Sequence, residues 1–190
     1  GLQPQDRVIL QLQPRHFFIC LWGCFLGGFV PVPVGIELNS DRHKLRQAKD
    51  LCHAALVITD REITGLATVQ VEDLLSSDRQ VYQENNRPWH QGDLDDLALL
   101  LLTSGSTGKP KGVMLSARNL LASVYGMATV NRLTQQDITL NWMPLEHVAS
   151  LVMFHLTEVS LGCQQIQVES EFILQNTLNW LDLIHQYRVG

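Results

Sequence analysis

Apolar positions in this chain come in blocks whose lengths alternate between strand-like and helix-like. Arg7 to Leu12 is a short β-rich run, and Pro14 marks the break before a helix beginning near Arg15. That helix carries Phe17, Phe18, Ile19, Leu21, Trp22, Phe25 and Leu26, apolar on nearly every face, which predicts burial on most sides. Gly27-Gly28 ends it, and Phe29 to Val34 forms the next strand. Asn39, Ser40 or Asp41 is placed to cap a charged helix running through Lys49, with Leu45 and Ala48 inward. Ala54 to Thr59 is a further buried strand, and Arg61 to Ser77 gives a weaker pattern of short helix and strand edge.

The second half repeats the alternation. Four leucines, Leu99 to Leu102, run into a Gly/Ser/Lys loop, and a second apolar stretch follows it. Ser116 is a good N-cap for a helix over Ala117 to Asn131, with Leu120, Leu121, Val124 and Met127 inward. Ile138 to Trp142 reads as a strand. A helix through Val152-Met153-Phe154-His155-Leu156 reaches Leu161, Gly162 stops it, and Gln164 to Ile166 is another strand. Leu174 to Val189 closes the chain as an amphipathic helix, with Leu178, Leu181, Ile184 and Tyr187 at helical spacing. The βαβ opening predicts an α/β fold, mostly parallel sheets covered by helices. Between the halves, Ser76 to Asp96 turns polar and contains Pro88, so the expected division is about 1–80, a linker at 81–96, and 97–190.

Composition narrows the function classes. With 190 residues, 45% of them hydrophobic, the chain can bury a real core, and 17% charged residues are too few for a disordered segment. A net charge of −5 argues against a general nucleic-acid binder. Cys20, Cys24, Cys52 and Cys163 lie in apolar surroundings without disulfide-scaffold or zinc spacing, the pattern of buried free thiols in a cytoplasmic protein. The opening Gly-Leu-Gln-Pro-Gln has no signal-peptide pattern. The apolar run from Phe17 to Val34 is interrupted by Gly27-Gly28, Pro31 and Pro33, and its helical part is shorter than the ~20 residues of a membrane span. Asp93, Asp95 and Asp96 read as an acidic approach to a strand rather than a metal cluster.

Candidate chemistry concentrates in Thr103-Ser104-Gly105-Ser106-Thr107-Gly108-Lys109-Pro110-Lys111-Gly112-Val113. Glycines leave backbone N–H groups unshielded and permit positive φ, so consecutive amides can converge on an anion. Ser104, Ser106 and Thr107 add hydroxyl donors, Lys109 and Lys111 add charge, and nothing in the loop is acidic. A hydrophobic strand leading in places such a loop at a sheet edge, where open α/β sheets bind ligands. A flexible connector is the competing reading, but four leucines before it and Pro110 inside it oppose that. A P-loop is excluded by spacing: only two residues lie between Gly105 and Gly108, where the pattern needs four, and Pro110 follows Lys109 where a magnesium-binding Ser or Thr belongs.

This loop resembles the signature of the adenylate-forming enzymes, the superfamily of acyl-CoA synthetases, luciferases and adenylation domains of nonribosomal peptide synthetases. The resemblance implies that Thr103, Ser104, Gly105, Ser106, Thr107, Gly108, Lys109 and Lys111 hold the phosphates of ATP while a carboxylate attacks the α phosphorus. Leu26-Gly27-Gly28-Phe29-Val30-Pro31-Val32 is similar to the family's early Gly-aromatic-Val-Pro segment and reads as a tight helix-to-strand packing site. Ala117 departs from the His that the family commonly carries there. The stretch from Val152 to Ile166 is similar to loading-type adenylation domains of hybrid polyketide/nonribosomal-peptide synthases, including the microcystin type.

Met143-Pro144-Leu145-Glu146-His147 resembles the family's next motif, at the acyl pocket. Amino-acid-activating domains place an Asp at the position of His147 to pair with the substrate ammonium, and an imidazole cannot serve as that counter-charge. The expected substrate is therefore an aryl, arylalkanoyl or fatty acid, with Trp142 and His147 on the acyl side. Two alternatives stand beside it: Glu146 takes the Asp role in an amino-acid-activating domain, or His147 is a packed helix-start residue. The family's magnesium-holding acidic residue, ribose-binding Asp and catalytic lysine do not occur before Gly190. The resemblance thus implies an incomplete N-terminal core with no complete catalytic set and little activity alone. It also implies ATP and Mg2+ as cofactors and, as acceptor, a carrier-protein phosphopantetheine thiol or CoA, with neither nucleic acid nor membrane as partner. A non-catalytic module retaining this fold is the remaining alternative.

Overall fold

A computed structural model of the chain describes residues 1–36, 41–76, 89–103 and 111–190. They form two compact units, Gly1–Ala117 and Arg118–Gly190. The first half of the 81–96 stretch read as a linker lies outside the described residues, and the division between the units falls after Ala117.

The first unit is built on four parallel strands, β1 (Arg7–Gln11), β2 (Val30–Pro33), β3 (Leu56–Thr59) and β4 (Val69–Gln70), in the order β2-β1-β3-β4. Their near-continuous apolar runs are what a parallel sheet covered on both faces requires. Ile9 stands between Val32 and Val57 in register, and all three are fully buried. Pro31 and Pro33 would each delete a ladder bond inside a sheet. Here Val30 N–H donates to Asp6 O at 2.9 Å and Val34 N–H to Leu10 O at 3.0 Å, so the even-numbered amides face β1. The prolines alternate with them, so their donorless nitrogens fall on the side of β2 away from β1.

Helix α1 (Pro14–Gly27) joins β1 to β2, with Pro14 in its first turn and Gly28 in the left-handed conformation at φ 75°. Gly28 N–H donates to Phe25 O at 3.2 Å and Phe29 N–H to Cys24 O at 2.8 Å, which satisfies the last carbonyls. The helix buries one stripe, Phe17, Leu21 and Cys24, while Ile19 and Leu26 are exposed, so burial on most sides is corrected to burial on one. Helix α2 (Asp41–Cys52) turns Leu45, Ala48 and Cys52 into the core shared with Ile9, Val32, Val57 and Ile63. Helix α3 (Val71–Ser76) follows β4 directly.

Strand β5 (Leu97–Thr103) supplies Leu100 to the same core and pairs antiparallel with β6 (Lys111–Ser116). The expectation of mostly parallel sheets thus holds for the four-stranded sheet, and a hairpin is added to it. The aspartates before β5 form a turn: Asp93 N–H donates to Asp96 Oδ2 at 2.7 Å and Asp95 N–H to Asp93 Oδ1 at 3.1 Å.

In the second unit, helix α4 (Ala117–Asn131, its first residue in the preceding unit) buries Leu120 and Val124, and Leu121 is exposed against expectation. Strands β7 (Ile138–Asn141) and β8 (Gln164–Gln167) pair in parallel. The crossover between them is a π-helix (Ala149–Leu156) running straight into α5 (Thr157–Leu161), which ends at Gly162 with φ 73°. The single closing helix that the sequence predicts is two, α6 (Ser170–Gln175) and α7 (Leu178–Tyr187). Asn176 is extended, and its Oδ1 accepts the Leu178 N–H at 3.1 Å, so a side chain starts the second helix where the first has ended. No helix among the described residues is long and apolar enough to cross a membrane.

Candidate functional site

The hairpin gives the Gly/Ser/Lys loop its ends. Thr103 and Lys111 are directly paired, the last register partners before the connection, and both are exposed. Inside them Leu99, Leu100 and Leu101 are buried, so the strand leading to the loop is anchored in the core. Ser104, Gly105, Ser106, Thr107, Gly108 and Lys109 lie outside the described residues. From Leu97 to Ser116 there is no acidic residue, and the sequence of the segment offers two lysines and five hydroxyl side chains as donors for an anion. That donor set fits a polyphosphate.

Trp142 and His147 belong to the second unit, on the connection between β7 and the π-helix. Trp142 is half-buried, and its carbonyl accepts the Ser170 hydroxyl at 2.6 Å. His147 is exposed, its N–H donating to Pro144 O at 3.1 Å and its carbonyl accepting Leu151 N–H at 3.0 Å. The connection is short and bonded at several points. Glu146 beside it is half-buried.

Behind this connection the π-helix buries a polar chain. His155 Nδ1 donates to Gln165 Oε1 at 2.8 Å, and the Gln165 amide donates to Glu158 Oε2. Glu158 is 1% exposed, and its Oε1 has no hydrogen-bond partner. Burial pushes the Glu158 carboxyl above the usual carboxylate range, opposed by hydrogen bonds from Thr139 and Gln165. Burial also lowers His155, against the Gln165 hydrogen bond. The reading of His155 as a helix residue satisfied by its neighbours agrees with this. Glu158 was missed, although its position three residues after His155, amid apolar neighbours, marks one helix face.

A second missed cluster lies in the first unit. His16, Asp60 and Glu72 bring ligand atoms within 4.8 Å of one another. Asp60 already uses both oxygens, one with His16 Nδ1 and the other accepting the Gln13 N–H, so it fastens the start of α1 to the end of β3. Glu72 is exposed. The four cysteines are free, Cys24 and Cys52 buried and Cys20 and Cys163 half-buried. Burial, with Asp60 nearby, pushes Cys20 up to about 11, and burial, with Cys20 nearby, pushes Cys24 up to about 12.

Comparison with known proteins completes the picture. The family described as AMP-binding enzyme matches residues 1–190. The chain is 31% identical to the nonribosomal peptide synthetase acyN of Ascocoryne sarcoides over 100% of its own length and 21% of that protein. Among solved structures, it superposes on McyG A-PCP complexed with phenylalanyl-adenylate with a TM-score of 0.90 and 35% identity, covering 100% of this chain and 32% of that one. The adenylation domain of a keto acid-selecting NRPS module bound to keto acyl adenylate gives 0.86 and 33%, covering 100% and 36%. The chain therefore spans about a fifth of the curated relative and about a third of each solved one.

Proposed function

Because the chain belongs to the AMP-binding enzyme family of adenylate-forming ligases, we propose that it is the N-terminal part of an enzyme activating a carboxylic acid that lacks a free α-amino group. In the reaction a carboxylate oxygen bonds to the α phosphorus of ATP, the bond to the β-phosphate oxygen breaks, and pyrophosphate leaves. A carrier-protein phosphopantetheine thiol or CoA thiol then takes the acyl group, forming a C–S bond and releasing AMP. ATP supplies the electrophilic phosphorus and the leaving group, with Mg2+ as its counter-ion.

The chain's own residues bind and orient. The observation that carries the reading is the core-anchored hairpin that sets Thr103 and Lys111 opposite each other in register, with no carboxylate in the sequence from Leu97 to Ser116. Ser104, Gly105, Ser106, Thr107, Gly108 and Lys109 are proposed as the further phosphate contacts. Positioning and charge neutralisation account for most of the rate in such transfers. Because developing charge must be met from several sides, the 190 residues alone are expected to be nearly inactive.

Substrate class rests on His147. It stands exposed on the connection after β7, where an imidazole offers no counter-charge for an ammonium group. The solved relative holding a keto acyl adenylate supports an acid without that group. The amino-acid reading keeps a specific observation of its own, the phenylalanyl-adenylate in the McyG complex. Carboxylate-dependent pyrophosphate exchange by the intact protein decides between them: aryl, arylalkanoyl, 2-keto or fatty acids should support it better than the matching α-amino acids. A preference for α-amino acids overturns the assignment, and loss of ATP binding in Lys109→Ala is the expected control. A cytoplasmic setting accords with the free thiols.

A further inference from the structure

The connection that carries Trp142 and His147 is closed by a ring of buried hydrogen bonds. Asn141, the last residue of β7, and Ser150, in the first turn of the π-helix, are 1% and 0% exposed. Met143 N–H donates to Asn141 Oδ1 at 3.1 Å. The Asn141 amide donates in turn to Ser150 Oγ at 2.8 Å and, more weakly, to Ser150 O at 3.4 Å. The Ser150 hydroxyl completes the circuit by donating to Met143 O at 2.9 Å. Each polar atom of these two side chains is used, and both bonds at Met143 are to its main chain. The peptide that follows Trp142 is therefore fixed from both sides by residues that belong to regular elements.

We infer that Asn141 and Ser150 are positioning residues for acyl selection, holding the Trp142–His147 connection in one conformation against the acid. The inference rests on the functional reading above, which places Trp142 and His147 beside the substrate. Its physical basis is that site residues carried on a connection are placed accurately only when supporting hydrogen bonds lock them to the scaffold. A displacement of about 1 Å can change a rate by about a hundredfold. The members of the ring, Asn141, Ser150 and Met143, are uncharged, so it confers order without contributing to binding charge. Ser170 adds a third fastening through its bond to Trp142 O, from a half-buried position outside the ring.

Ser150→Ala removes the bonds from Asn141 to Ser150 Oγ and from Ser150 Oγ to Met143 O, and Asn141→Ala removes the Met143 N–H bond together with both bonds to Ser150. Ser170→Ala removes the bond to Trp142 O alone. In the intact protein, Ser150→Ala and Asn141→Ala should each raise KM for the acid by about tenfold, with less than a twofold change in KM for ATP. Selectivity among acids of different size should narrow, and Ser170→Ala should show a smaller change of the same kind. Hydrogen-exchange mass spectrometry should show the 142–148 backbone exchanging at least about tenfold faster, with the β7 and β8 amides unchanged. A purely structural role would instead lower the active fraction, reducing the rate with both KM values constant, and that result overturns the assignment. Unchanged exchange across 142–148 in Ser150→Ala and Asn141→Ala overturns it as well. If the unmutated protein supports no exchange of pyrophosphate with any carboxylate, the functional reading falls and takes this one with it. Activity in the unmutated protein with unaltered KM in all three variants overturns the positioning role alone.

Discussion

Replacing Gly28 by alanine is expected to destabilise the first unit by about 2–5 kcal/mol, the sum of two separable costs. At φ 75° an L side chain sits in the left-handed region, which costs about 1–2 kcal/mol. The added Cβ would also lie 2.4 Å from His90 Cγ, 2.5 Å from Cδ2 and 2.8 Å from Nδ1. The His90 N–H is bonded to Leu26 O at 2.9 Å, which holds the root of the ring beside the helix end, so relief has to come from turning the side chain out of its packed position. Forcing a side chain into such a packed contact costs about 1–3 kcal/mol. His90→Ala removes the second cost and leaves the first. A double-mutant cycle by urea denaturation should therefore give the full penalty in the native background and about 1–2 kcal/mol in the His90→Ala background. Amide exchange at Val30, whose N–H bonds to Asp6 O, should accelerate in Gly28→Ala by about tenfold for each 1.4 kcal/mol lost. An equal cost in the two backgrounds, or one below about 0.5 kcal/mol, refutes the steric reasoning.

Two buried groups should tie the stability of the second unit to pH in opposite senses. His155 has a folded pKa below its unfolded one, so its contribution is complete above the unfolded value and lost as pH falls through the folded one. Glu158 is the reverse, with a contribution complete below the unfolded carboxylate value and lost as pH rises through the raised folded one. Urea midpoints measured from about pH 4 to pH 9 should lose, in Glu158→Gln, the fall that accompanies rising pH above the ordinary carboxylate range and keep the fall on acidification that His155 causes; an unchanged fall with rising pH would refute the burial account. Thiol labelling gives an independent check on packing: Cys24, buried and pushed up to about 12, should resist iodoacetamide in the native protein and react after denaturation. Mass spectrometry showing equal labelling before and after unfolding would contradict its burial.

Local signals recovered much of this architecture, and their failures share a cause. The β1–α1–β2 opening, the stop at Gly28 and the inward Leu45 and Ala48 are written in short-range chemistry: a proline start, a residue free to take positive φ, a spacing of three. Ile19, Leu26 and Leu121 were misassigned because hydrophobicity says that a residue can be buried, while partners distant in sequence decide whether it is. The break at Asn176 depends on one side-chain hydrogen bond, which competes with a helical pattern strong on both sides. The β5–β6 pairing was not read because strand direction is set by register and not by composition. At the candidate site, the loop's wording and His147 were legible as chemistry. Asn141, Ser150 and Glu158 were not, because their meaning lies in what touches them across the crossover between β7 and β8.

The pairing of Thr103 with Lys111 bears on the thermodynamics of any ligand held between those residues. Antiparallel partners have Cα atoms about 5 Å apart, so the chain enters and leaves the 104–110 connection at nearly one point. Bringing the ends of a flexible segment together carries an entropic cost that grows with its length. Here that cost is met when the hairpin forms, by Leu99, Leu100 and Leu101 packing into the core. Ligand affinity is then relieved of the cost of chain closure, and an added residue in the connection should weaken binding through altered geometry far more than through added entropy.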